Sequence, residues 1–157
     1  MSSPKPPVLF AAGTTVPVDR SRLEIERMLV KYGASAFAIS WSNSQASIGF
    51  TFHGWAVRFD LAYPDPAEHR YVRRALAEQT RAYDAELRRL WRAFAILIKA
   101  KLDCVLSGIT TFEKEFLAHL IIPGSEQTVA QSAIPRLVAA RASAQANPEP
   151  LPQLPEL

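Results

Sequence analysis

The sequence predicts an α+β fold: a three-stranded antiparallel meander preceded by one helix and followed by a long basic helix and two shorter helices. Apolar residues alternate with small or polar ones in three consecutive runs between Phe37 and Leu61, the period of strands with one covered face. The runs are separated by Ser42-Asn43-Ser44 and His53-Gly54, both turn chemistry, so neighbouring strands should pair antiparallel. Between Arg70 and Leu106 the period changes to that of a helix, with an apolar seam able to cover the sheet.

Residues 1–15 contain Pro4, Pro6 and Pro7 and read as a flexible N-terminal segment. A single α+β domain is expected over 16–146. Its first helix should begin near Ser21, because Ser21 and Glu24 have capping-box spacing, and Gly33 should close it. In the meander, Phe37, Ile39 and Trp41 share one face with Ile48, Phe50 and Phe52 and with Trp55, Val57, Phe59 and Leu61. Trp41 and Trp55 sit beside turns and are the aromatics expected to be partly exposed. Tyr63-Pro64-Asp65-Pro66 breaks the strand pattern and leads into the long helix Arg70–Leu106, about ten turns. Tyr83, Leu87, Leu90, Trp91, Phe94, Ile98, Leu102 and Val105 form its apolar seam, which becomes sparse over Arg70–Glu86. Ser107-Gly108 stops it. Thr110 and Glu113 again have capping-box spacing, for a short helix through Leu120, and Pro123-Gly124 turns the chain. A last helix should span about Thr128 to Ala144, with Pro135 as a kink or restart. Residues 147–157, NPEPLPQLPEL, read as a disordered, Pro-rich acidic tail.

A chain of 157 residues suits one domain with a self-sufficient core. Its net charge of +3 is modest, so any argument for a polyanionic partner rests on where the charge sits. Cys104 is the only cysteine and, within a helix, reads as packing. Only His53, His69 and His119 accompany it, which excludes a Cys/His metal cluster. The N-terminus lacks the cationic-then-apolar pattern of a secretory signal. The most apolar stretch, Ala93–Leu106, is interrupted by Lys99, Lys101 and Asp103 and is too short to span a bilayer. A cytoplasmic setting without membrane or cofactor is expected.

The charge does have a pattern. Arg70, Arg74, Arg81, Arg88, Arg92 and Lys99 fall on a second stripe of the long helix, roughly 120° from the seam. Such a rail can contact successive phosphates of a nucleic acid, or can be a solvated face in which Glu78 pairs with Arg74 or Arg81. Lys101 falls near the seam, so it must snorkel, pair with a carboxylate or point into a groove; with Lys99 it forms a candidate ligand-facing pair. Arg58, on the polar face of the sheet, can equally contact a backbone or simply face solvent. The candidate nucleic-acid-binding set is therefore Arg58, Arg70, Arg74, Arg81, Arg88, Arg92, Lys99 and Lys101. Glu115 and His119 share a helical face, but no nucleophile, further ligand, phosphate loop or zinc motif accompanies them, so no catalytic or metal residue is assigned.

The segments IERMLVKYGASAF, VRFDLAYPD and WRAFAILIKAKLDCVLSGITTFEKEFLAHLIIP resemble a family of small proteins of tailed bacteriophages and prophages, over roughly two-thirds of the chain from Arg22 to Val129. That resemblance implies a phage protein acting in the host bacterial cytoplasm. A β-β-β-α unit with a long basic helix is also similar in architecture to RecT/Redβ-type single-strand annealing proteins, which assemble as rings or filaments on DNA. The implied function is an oligomerising protein that binds single-stranded nucleic acid, an annealing or recombination accessory. The alternative is a non-enzymatic structural, assembly or host-interaction protein whose basic helix docks on an acidic protein surface.

Overall fold

The structure, a computed structural model, describes residues 9–73 and 75–146, apart from the side chains of residues 69 and 70. The alternating runs form β1 (Ala36–Trp41), β2 (Gln45–Phe52) and β3 (Trp55–Ala62), an antiparallel meander in the order β1-β2-β3. Phe37 lies opposite Phe50, Ile39 opposite Ile48, and Ile48 opposite Phe59, so the apolar face is in register across the sheet. His53 and Gly54 both adopt left-handed backbone (φ 47° and 82°), the conformation of a two-residue hairpin turn whose twist matches its strands.

Two helices cover the aromatic face. Helix α1 (Val18–Lys31) contributes Ile25 and Leu29, and α3 (Leu76–Leu106) contributes Trp91, Phe94, Ile98 and Leu102. These join Ile48, Phe50 and Phe59 in one buried cluster. Phe116 closes it, edge-on to Phe50 and Phe59 and stacked on Phe112 at 4.5 Å. Both covering helices end in the same cap. Gly33 (φ 94°) and Gly108 (φ 71°) turn the chain. The following residues, Ala34 and Ile109, donate back to the Leu29 and Cys104 carbonyls.

The boundaries differ from the expected ones in four places. Helix α1 starts at Val18, not near Ser21. Pro17 is extended and its carbonyl accepts the Ser21 amide at 3.2 Å, so the helix nucleates before Ser21 and buries that side chain completely. The Ser21–Glu24 capping box therefore does not form. The single helix expected from Arg70 is two, α2 (His69–Val72) and α3, separated by extended Ala75 (ψ 147°). The break lets Tyr71 pack edge-on against Tyr83 with ring centroids 5.7 Å apart. Twelve residues of continuous helix would hold their backbones about 18 Å apart.

The third difference is small. Thr111, not Thr110, caps α4 (Phe112–Phe116), accepting the Lys114 amide at 3.4 Å. A 3₁₀ turn (Leu117–His119) follows, and Ile121 then donates to the Ala56 carbonyl at 2.8 Å, adding a short rung beside β3. The fourth concerns α5 (Val129–Ala146), which passes through Pro135 without interruption. Thr128 and Gln131 cap it reciprocally: the Thr128 amide donates to Gln131 Oε1 at 3.0 Å, and the Gln131 amide to Thr128 Oγ1 at 3.3 Å. No residue of α5 is buried, and from Ile134 onward all are exposed.

The expected lead-in is partly described: residues 9–14 form a turn, with the Ala12 amide on the Leu9 carbonyl at 3.0 Å, and Arg89 of α3 donates to the Phe10 carbonyl at 3.3 Å. The expected tail, 147–157, lies outside the described residues. Among the described residues no helix is long and apolar enough to cross a membrane.

Candidate polyanion-binding face

Helices α1 and α3 lie side by side and run in the same direction, because successive α1 residues meet successive α3 residues. The Arg22 guanidinium lies 4.6 Å from the Trp91 ring, Arg92 donates to Glu24 at 2.6 Å, and Tyr32 donates to Asp103. The α3 stripe containing Arg88, Arg92 and Lys99 is thus the flank that borders α1. Lys99 pairs with Asp103 at 2.5 Å. That bond, with the Tyr32 hydroxyl second, holds the Asp103 carboxyl below the usual carboxylate range. The same carboxylate raises both the Tyr32 phenol and the Lys99 ammonium. Lys31 also lowers Asp103, and Glu24 also raises Lys99, so all of these charges share one neighbourhood.

Helix α1 adds cations that the sequence analysis did not single out. Arg20, Arg27 and Lys31 line an open groove along the flank of α1 that also carries Glu24. Their signal was present: positions 20, 27 and 31 recur on one helical face just as 81, 88 and 92 do. Of the two helices' cations here, Arg92 and Lys99 are taken by Glu24 and Asp103. Arg20, Arg27, Lys31, Arg81 and Arg88 have no ion-pair partner among the described residues. Glu78, a candidate partner of Arg81, does not pair with it.

The remaining candidates lie elsewhere. Arg70 sits in α2, apart from the α3 stripe, and Arg74 lies outside the described residues. Arg58 donates to the Glu126 carbonyl at 2.9 Å and to Gln131 Oε1 at 2.8 Å, tying the outer face of the sheet to the start of α5. Lys101 resolves its position near the seam by pairing: it donates to the carbonyl and carboxylate of Glu115 at 2.9 and 3.0 Å. By helical count it is about 160° from Lys99. The two therefore do not form a ligand-facing pair.

His119 stacks on Phe59 at 3.8 Å, and burial pushes its imidazole below the usual histidine range, with Lys101 adding to the effect and Asp60 opposing it. Glu115 is engaged by Lys101, so the pair Glu115–His119 does not assemble a proton-transfer site. Cys104 is partly buried. Among the described residues no group of acidic, histidine or cysteine side chains is placed to hold a metal ion. No family model matches the chain, and no curated protein or solved structure is significantly similar to it.

Proposed function

We propose that this chain binds single-stranded nucleic acid through the face formed by α1 and α3, with Arg20, Arg27, Lys31, Arg81 and Arg88 as the principal phosphate contacts and Arg92 and Lys99 at their edge. The observation that carries the reading is that two packed, parallel helices each carry cations without an ion-pair partner among the described residues, Arg20, Arg27 and Lys31 beside the Glu24 that holds Arg92, and Arg81 and Arg88 on the Arg92 stripe of α3, in a chain whose net charge is only +3. Long flexible stems let such residues follow a backbone of variable geometry, and the released counterions supply the affinity. The phage setting rests on the sequence resemblance alone, and action as an annealing or recombination accessory on the likeness of a β-β-β-α unit with a long basic helix to single-strand annealing proteins. Homo-oligomerisation draws support from α5, where Ile134, Leu137 and Val138 are exposed on an otherwise unburied helix. The same exposed row favours the second reading, an assembly protein.

Reversing Arg81 and Arg88 to Glu tests the reading without touching the Arg92–Glu24 tie between the helices. Binding of a single-stranded oligonucleotide at low salt should be lost while the far-UV circular dichroism is kept. Undiminished binding by this variant would overturn the proposal.

A further inference from the structure

We propose that the exposed face of Trp41 is a stacking platform for an unpaired nucleobase. The proposal rests on the nucleic-acid reading above and gives it a reason to prefer single strands. Trp41 ends β1, opposite Ala46, and is 66% exposed, although its strand neighbours Phe37 and Ile39 pack against the core. It is nevertheless anchored. The Arg22 guanidinium lies 4.9 Å from its ring centroid and 4.6 Å from that of Trp91. Trp91 is fully buried, and its indole N–H donates to the Tyr63 hydroxyl at 3.3 Å. The layers Trp91, Arg22 and Trp41 therefore run outward from the core to solvent.

A purely structural role does not use the outer surface of this stack. Arg22 would keep its contact with Trp91 and its ion pair with Asp19 if residue 41 were small. What Trp41 adds is a flat aromatic surface at the open edge of the sheet, since β1 is an edge strand. Because the ring is already held, little side-chain freedom is lost when a base stacks on it. The cation beneath also selects the ligand. It draws on the electron density of the ring, which disfavours a second cation or the C–H face of a sugar and favours a planar base. Ser40, Ser42, Gln45 and Ser47 give the adjoining hairpin end a polar rim. Duplex bases are already stacked and cannot reach the indole, so the contact is specific to unpaired bases.

The test titrates full-length wild type, Trp41→Ala and Trp41→Phe with oligo(dT) and with duplex of equal length, following tryptophan emission and affinity. Wild type should show quenching on oligo(dT). Trp41→Ala should lose the quenching and bind oligo(dT) on the order of tenfold more weakly or worse, with its salt dependence unchanged; one base–aromatic stack supports a loss of about five- to a hundredfold. Trp41→Phe should recover most of the affinity, and duplex binding should be equal for all three proteins. Unchanged oligo(dT) affinity in Trp41→Ala, equal losses on single strand and duplex, or quenching by a neutral oligosaccharide would each overturn the stacking proposal while the phosphate-binding reading stood. Absence of any oligo(dT) binding by wild type at low salt would instead overturn both.

Discussion

The Glu24 carboxylate accepts a hydrogen bond from Arg92 Nη1 at 2.6 Å, across 68 positions of sequence, and so makes one cation of the α3 stripe a tie between two helices. Both side chains are partly exposed (39% and 28%), so the pair is worth at most about 1 kcal/mol. Glu24→Gln should therefore cost about 1 kcal/mol or less in urea denaturation. It should also tighten oligonucleotide binding at low salt, because it removes one of the carboxylates on the face. Weaker binding in Glu24→Gln would contradict the assignment of this face.

Ser21 offers a test with opposite signs for two accounts of α1. As a helix cap, its replacement by Ala would destabilise by about 0.5–2 kcal/mol. In the structure its hydroxyl is fully buried and has no hydrogen-bond partner among the described residues. A buried unsatisfied hydroxyl costs about 1–3 kcal/mol, so Ser21→Ala should raise stability, by roughly 1 kcal/mol. The denaturation midpoint reads the sign directly.

Gly108 ends α3 at φ 71° with nothing within 4 Å of the position a Cβ would take. Gly108→Ala should lose about 1–2 kcal/mol from backbone strain alone. Phe116→Ala, which empties a fully buried site between Phe50, Phe59 and Phe112, should lose about 3–5 kcal/mol. Leu97→Ala, on an exposed position of the same α3, should stay within about 0.5 kcal/mol. Thermal denaturation of the three variants checks the order.

His119 sets a pH dependence. Burial against Phe59 lowers its pKa in the folded state, so the unfolded chain takes up the proton first as pH falls. Stability should be full above the ordinary histidine range. It should decline as pH falls through that range toward the depressed folded value, then level off. Asp103 and Glu113 have lowered pKa values of the acid type, so their contribution is lost only at more acidic pH, as pH falls toward and through their folded values. His119→Gln should flatten the decline near neutrality and leave the acid limb. An unchanged profile in this variant, measured by denaturation between pH 5 and 8, would assign the dependence to another group.

What was legible in the sequence follows from how local its causes are. The strands were legible because a period of two over Ile48–Phe52 and Trp55–Leu61 has one reading, and the seam from Trp91 to Leu102 because the sheet needed a cover. The break before α3 was not, since Ala, Leu and Glu are all good helix formers and the contact that the break permits, Tyr71 on Tyr83, is tertiary. Capping spacing occurs both at Ser21, where no box forms, and at Thr128–Gln131, where one does; the motif recurs by chance, and where the helix begins decides, since α1 starts at Val18 ahead of Ser21 and α5 starts directly after Thr128. The rail was visible, but its neutralisation by Glu24 depends on which flank of α1 meets α3, and no periodicity carries that information. Arg20, Arg27 and Lys31 had a readable spacing; their significance comes only from the helix beside them.

The most direct test of the central claim is the salt dependence of wild-type binding to a single-stranded oligonucleotide. Contacts from Arg20, Arg27, Lys31, Arg81 and Arg88 predict a log–log slope of about −3 to −4, or roughly a hundredfold loss of affinity between 50 and 200 mM salt. A slope near zero, or no binding even at the lowest salt, would contradict the assignment of the α1–α3 face to nucleic acid.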